Sequence, residues 1–239
     1  MKPLGHKSYG SIPHLSNSRL GVGDYHCQKG QETIATSKAR DHNDVIIVQE
    51  KLDGSNVAIA KVNGEILALN RAGYQAKTSP FEQHHYFSTW VEQHKDRFRN
   101  LLREGERIVG EWLLQAHSTR YNLPHEPFVA FDLMSKHHRT TYHRFLERIK
   151  PFDIVPPRLI HVGEPVNTDY VLKELEVSGH GALDPVEGAI WRIERNEKVD
   201  FLVKFVRLDK EDGVYLPDIS GNPPVWNYDL DRIVSKKAP

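Results

Sequence analysis

Residues 45 to 60 read Val45-Ile46-Ile47-Val48-Gln49-Glu50-Lys51-Leu52-Asp53-Gly54-Ser55-Asn56-Val57-Ala58-Ile59-Ala60, two apolar runs separated by a polar knot. Each run is short and rich in Val, Ile or Ala, so each predicts a strand, and Lys51 falls at the junction between them. Gly54 supplies backbone freedom and lets a ligand come close, while Ser55 and Asn56 add short hydrogen-bonding groups. Taken alone, Lys-Leu-Asp-Gly is better read as an ordinary polar turn. The flanking chain argues otherwise.

Downstream, Asn63-Gly64 separates residues 57 to 62 from 65 to 69 and is the dipeptide best suited to a two-residue hairpin turn. The hairpin returns its second strand to where its first began, which brings Arg71 beside Lys51. Residues 107 to 114 alternate as a strand with Glu111 on the face of Val109 and Leu113, and residues 128 to 133 form another that contains Phe131. Alternation puts Glu187 on the face of Ala189, Trp191 and Ile193, and Lys204 beside Leu202 and Val206. A lone charge on an apolar face is costly, so each predicts an opposite charge, a metal or a ligand nearby. Plainer readings stand beside these: a surface arginine at 71, a salt-bridged acid at 111, a core ring at 131.

Helical patterning begins at Ser79-Pro80-Phe81-Glu82, with Ser79 as N-cap and Glu82 closing a capping box, and a stripe from Phe87 to Leu102 runs on to Gly105. Residues 141 to 150 and 169 to 178 predict two more helices, ended by Pro151 and Gly179, and residues 158 to 162 an edge strand. Residues 1–40 predict irregular structure over the core, residues 215–224 an extended tail and 227–234 a short helix within a C-terminal tail of 215–239. The His84-His85 and His137-His138 pairs read as solvated surface, since neighbours on a helix face different ways.

Lys51-Leu52-Asp53-Gly54-Ser55-Asn56 resembles the nucleophile motif of the covalent nucleotidyltransferases, the superfamily of polynucleotide ligases and mRNA capping enzymes. Asn56 is similar to the RNA ligase 2-type group, whereas Asp53 stands where that group often has histidine. Arg71, Gly110-Glu111, Phe131-Asp132-Leu133, Glu187-Gly188 and Lys204 resemble the later motifs, in the family's order. The fifth motif commonly has a lysine where Val206 stands, which leaves Arg207 without an assigned role.

The resemblance implies an α+β fold, antiparallel β-sheets flanked by helices, forming one nucleotidyltransferase (adenylation) domain over residues 1–239 with no appended OB-fold. It implies ATP as cofactor with magnesium or manganese, and Lys51 as the catalytic nucleophile that carries AMP. Glu50 and Asn56 belong to the nucleotide site, Arg71 to the phosphate or nucleic-acid end, and Glu111 to the ribose. Phe131 stacks on the purine, Glu187 takes nucleotide and metal, and Lys204 takes the α-phosphate. The implied partner is RNA with a 5′-phosphate and a 3′-hydroxyl. A DNA-joining ligase and a non-ligating RNA-end-binding module remain as alternatives. A lysine at its ordinary pKa is protonated at neutral pH, so Lys51 needs tuning, with Lys204 and metal lowering its pKa and Glu50 and Asp53 opposing them.

Lys plus Arg and Asp plus Glu each total 32, so the chain is no polybasic binder and any nucleic-acid contact must be a local patch. Cys27 is the one cysteine, which excludes an internal disulfide, and no apolar run approaches a membrane span, so a soluble, cytoplasmic protein is expected. The absence of Gly-x-x-x-x-Gly-Lys excludes a P-loop enzyme.

Overall fold

The computed structural model describes residues 1–235, so residues 236–239 of the expected tail lie outside the described residues. After an extended N-terminal stretch come α1 (Lys29–Thr36), β1 (Asp44–Lys51), β2 (Ser55–Val62) and β3 (Glu65–Asn70). Helices α2 (Glu82–Gln93) and α3 (Lys95–Leu101) lead to β4 (Glu106–Trp112), β5 (Phe128–Ser135) and β6 (His138–Arg139). Then follow α4 (Tyr142–Ile149), β7 (Leu159–Gly163), α5 (Thr168–Glu174), β8 (Gly188–Arg195), β9 (Lys198–Val206), α6 (Pro217–Ser220) and α7 (Leu230–Val234).

The strands form two antiparallel sheets, ordered β7-β1-β8-β9 and β3-β2-β4-β5-β6. The expected junction at Lys51 is therefore a crossing: β1 ends at Lys51 in the first sheet and β2 begins at Ser55 in the second. Helices cover the outer face of each sheet. Ile59, Phe87, Trp90, Phe98, Trp112 and Phe128 build one core under α2 and α3. Ala35, Ile46, Val171, Leu175, Trp191 and Val203 build the other under α1 and α5. The inner faces, freed of helices, are left to form a cleft.

The β2–β3 hairpin turns on Asn63 and Gly64, at φ 53° and 79°, as the dipeptide predicts. Gly54 differs from expectation. Its φ is not positive, and a Cβ there would sit 2.6 Å from the Trp112 carbonyl oxygen. Glycine is needed because the crossing packs tightly on the end of β4.

The expected helix from Ser79 to Gly105 is two helices. His94 breaks it with φ −113° and ψ 19°, where its ring Nδ1 lies 2.7 Å from the Trp90 carbonyl oxygen. Ser79 is not the N-cap. Phe81 holds that position, and the Ser79 hydroxyl instead lies 2.7 Å from His84 Nδ1, so His84 is buried rather than solvated. His137 and His138 are exposed, as expected.

The N-terminal 40 residues are more ordered than their composition predicts, since α1 lies among them. Leu4, Tyr9 and Ile12 pack on the inner-face residues Ala58, Ala60 and Val109. Residues 13 to 15 then extend the β9 edge, where the Lys204 N–H donates to the Pro13 carbonyl (2.9 Å) and the Leu15 N–H to the Lys204 carbonyl (2.8 Å). Helix α5 stops at Glu174, short of the expected 178, because Ser178 and the Gly179 N–H turn back to the Glu50 carboxylate at 2.7 and 2.8 Å. The C-terminal segment is not a free tail. It includes α6, and Trp226, Tyr228 and Ile233 pack against the first core.

Candidate active site

A cleft of about 580 Å³ lies between the two sheets. The first sheet contributes Lys51, Ile190, Arg192, Leu202 and Lys204, and the second contributes Asn56, Glu111 and Phe131. Register explains the meeting of these residues. Asn56 pairs with Glu111, Ile190 with Lys204 and Arg192 with Leu202, so each pair projects together from neighbouring strands.

Lys51 Nζ lies 2.5 Å from Glu187 Oε2, and Glu111 Oε1 accepts the Gly54 N–H at 3.2 Å. Burial would lower the Lys51 ammonium, but Glu187, Glu111 and Asp53 outweigh it and hold it above the ordinary lysine value. Burial, with Glu187 and Asp53 adding to it against the pull of Lys51, pushes the Glu111 carboxyl up to about 8. Lys204 moves the other way: burial and the Lys51 charge lower it, against the pull of Asp24.

Glu187 lies off the face that alternation assigns to it. It precedes β8, which begins at Gly188, so the strand's alternation does not extend to it. Ala189, Trp191 and Ile193 enter the outer core, while Glu187 opens into the cleft with Ile190 and Arg192. Lys204 and Leu202 line the cleft together, as expected. Glu50 lines the cleft but turns its carboxylate to Ser178 and Gly179, so it is not the acid that faces Lys51. Arg71 reaches the cleft at its rim, exposed, with Nη2 3.3 Å from Ser11 Oγ. The Asn56 side-chain oxygen is buried with no hydrogen-bond partner among the described residues, an acceptor left for a ligand donor.

A bulge carries Phe131 into place. Val109 pairs with Asp132 and Gly110 with Ala130, which leaves Phe131 as the extra residue of β5. Without the bulge, Phe131 and Asp132 would face opposite ways; with it, both line the cleft. Asp132, fully buried, accepts from the Tyr9 hydroxyl (2.6 Å), Arg139 Nε (3.0 Å) and Arg192 Nη1 (2.7 Å).

The partners of several of these side chains are not marked in the sequence. Asp24 lies 3.4 Å from Lys204 Nζ and 2.9 Å from His14 Nε2, while His14 Nδ1 lies 2.7 Å from Ser18 Oγ. No local pattern marks a counter-ion 180 residues away in sequence. Asp53, which shares the Lys51 motif, accepts the Ser118 N–H (2.8 Å) and lies 3.2 Å from Lys210 Nζ. His84 and His117 line the cleft wall beside it, and burial, with His117 and His85, pulls His84 down to about 4. Arg207 pairs with Asp209 outside the main cleft, at the rim of a smaller pocket with Lys210 and Tyr215.

Residues 44–206 match the RNA ligase family. The chain belongs to that family. No curated protein matches this RNA ligase-family sequence. Among solved structures, an archaeal ATP-dependent RNA ligase is 18% identical with a TM-score of 0.52, over 83% of this chain and 48% of its own. A mutant of a Naegleria gruberi RNA ligase with ATP and Mn is 12% identical with a TM-score of 0.52, over 82% of this chain and 59% of its own. A different mutant of that ligase with AMP and Mn gives 0.51 at 12% identity, over 84% and 60%. These likenesses show the ligase nucleotidyltransferase fold, and this chain spans about half to three-fifths of the proteins it matches. No helix among the described residues is long and apolar enough to cross a membrane.

Proposed function

We propose that this RNA ligase-family chain is an ATP-dependent RNA ligase whose Lys51 accepts AMP, passes it to an RNA 5′-phosphate and enables joining to a 3′-hydroxyl. One observation carries the reading: Lys51 sits in a deep cleft, its Nζ against one carboxylate, with a second acid and a second lysine beside it. The cleft has the volume of a small-molecule site, which typically holds roughly 300–1,000 Å³.

In the free protein the Lys51 ammonium is held protonated, so the attack begins with a proton transfer, and Glu187 at 2.5 Å is the acceptor in reach. Nζ then bonds the α-phosphorus of ATP and gives a second proton to water, the bond from that phosphorus to the oxygen bridging the β-phosphate breaks, and pyrophosphate leaves. An RNA 5′-phosphate oxygen next displaces Nζ, which regains both protons. The 3′-hydroxyl finally attacks the 5′-phosphorus, its proton passing to water, and AMP departs. Lys204, on the strand facing Ile190, offsets the phosphate charge. Phe131 offers a stacking face for the base, Glu111 and Asn56 face the ribose, and Arg71 faces the phosphate end.

The residues present also fit a divalent cation, magnesium or manganese. Once Nζ is bonded to phosphorus it carries no charge, and Glu187, after passing on the proton it accepted to water, would be a carboxylate without its cationic partner, so Glu187 is the residue that would hold the ion. Among the described residues no cluster of three His, Cys, Asp or Glu could hold a metal by itself, so phosphate oxygens and water would have to complete the set. When bound, the ion would neutralise charge on the departing pyrophosphate.

Incubation with α-labelled ATP and magnesium is expected to label the protein covalently, and Lys51→Ala to abolish the label. Label retained on the alanine variant, or none on the native protein, overturns the assignment. Joining of a 5′-phosphorylated RNA to a 3′-hydroxyl end by the native protein then tests the later steps.

A further inference from the structure

A chain with equal numbers of acidic and basic residues does not distribute them evenly. Residues 1–23, 66–81 and 133–146 contain no Asp or Glu, although the whole chain has 32. The fold brings these three segments to one place, at the Arg71 end of the cleft.

The contacts that assemble them are backbone ties. The N–H groups of Ser8 and Tyr9 both donate to the Arg71 carbonyl, at 3.1 and 3.4 Å. The buried Arg107 guanidinium donates to the Ser8 carbonyl (2.7 Å) and to the Lys136 carbonyl (2.8 Å), which fixes the first and third segments side by side. His6 and His137 rings lie 5.0 Å apart, and Lys2 Nζ lies 5.1 Å from the centre of the Tyr74 ring. Asp132, next to the third segment, is buried and already matched by Arg139 and Arg192, and Glu106, paired with Ser135 across the strands, is taken by Arg148. Lys7, Arg71, Tyr74 and Lys136 are exposed and Lys2 half-buried. Among the described residues, none of Lys2, Lys7, Arg71 or Lys136 has a carboxylate within salt-bridge distance.

We propose that this face, with Lys2, Lys7 and Lys136 around Arg71 and the Tyr74 ring, is the track along which a single RNA strand enters the cleft. The inference rests on the RNA ligase reading and adds where the polymer lies. Unpaired cations on an acid-free surface fit a row of phosphates, and an exposed aromatic ring among them fits an unstacked base. The track meets the cleft where Gly10, Arg71 and Ala72 form its rim, so phosphates bound outside lead to the end that must reach Lys51. Elsewhere on the surface some cations are taken up by acids, as with Arg19 and Asp212 or Arg144 and Glu197.

The test is binding of a fluorescent 5′-phosphorylated single-stranded RNA, without ATP, at several salt concentrations, to the native protein and to the triple variant Lys2→Glu, Lys7→Glu, Lys136→Glu. The variant is expected to bind at least about tenfold more weakly, with a slope of log affinity against log salt shallower by about 2, since each phosphate contact on a single strand contributes about 0.7. Its self-labelling by ATP is expected to stay native, which also reports that it is folded. A triple glutamine variant at the same positions is expected to show the same shallower slope. Native affinity and slope in both variants overturn the track. Absence of ATP labelling in the native protein overturns the ligase reading instead, and leaves the RNA-binding comparison to decide the track by itself.

Discussion

At the scale of single residues, the cleft is a problem of charge. On the proposed mechanism Lys51 must be uncharged to attack, yet Glu187, Glu111 and Asp53 together hold its proton more firmly than water would. The sequence reading placed Glu50 and Asp53 as the opposing acids; the structure replaces Glu50 by Glu187 and Glu111, because Glu50 spends its carboxylate on Ser178 and Gly179. Since the folded ammonium is held above 10.5, the Lys51 proton contributes stability below that value and loses it as pH rises through the folded pKa, while the Glu187 carboxyl, pushed up by burial, works against stability as pH rises past the ordinary carboxylate range. Glu187→Gln is expected to lower the pH at which Lys51 becomes reactive. The pH dependence of Lys51 acylation by an amine-reactive reagent, read by peptide mass spectrometry, checks this; an unchanged or higher midpoint would assign the proton to another group. The same substitution is expected to cut labelling by ATP about a hundredfold or more if Glu187 accepts that proton.

At the scale of elements, two irregularities build the site. The crossing from β1 to β2 turns within Leu52-Asp53-Gly54 and is pressed against β4. Gly54→Ala puts a methyl carbon 2.6 Å from the Trp112 carbonyl oxygen, so the crossing must shift. The expected cost is on the order of 1–3 kcal/mol by urea denaturation, with a disproportionate loss of ATP labelling because Lys51 moves with the crossing. A variant that loses stability but labels at the native rate would show that the crossing can yield without displacing the lysine. The second irregularity, the β5 bulge, is what gives both Phe131 and Asp132 to the cleft. Strand periodicity cannot announce it, since a bulge is set by the neighbouring strand and not by the residues within it.

At the scale of the whole molecule, a buried ion pair ties one sheet to the other, between residues that both line the cleft. Arg192 on β8 donates to Asp132 on β5 at 2.7 Å and to the Thr140 carbonyl at 2.7 Å, and both charged groups are buried. Removing Asp132 leaves Arg192 with Glu194 as its remaining carboxylate partner, at 2.9 Å, and leaves Arg139 with none among the described residues. Asp132→Ala is therefore expected to cost about 3–5 kcal/mol, with Asp132→Ala plus Arg192→Met recovering a large part of it. Urea denaturation of the single and double variants measures the recovery, and a double variant as unstable as the single would show that packing, not charge, holds the sheets.

Local pattern determined much of this. The β-branched runs and the Asn63-Gly64 turn made the strands and the hairpin legible before any coordinates, because alternation and turn chemistry are properties of neighbours in the chain, and the resemblance of short motifs singled out Lys51, Glu111, Phe131, Glu187 and Lys204, which line one cleft. What the tertiary structure alone decided is who meets whom: Glu187 rather than Glu50 at Lys51, Asp24 at Lys204, Arg192 at Asp132, and three acid-free segments at one rim. Those pairings join residues tens to hundreds of positions apart. They follow from sheet register and from the need of each buried charge for a partner, which only the packed chain can supply.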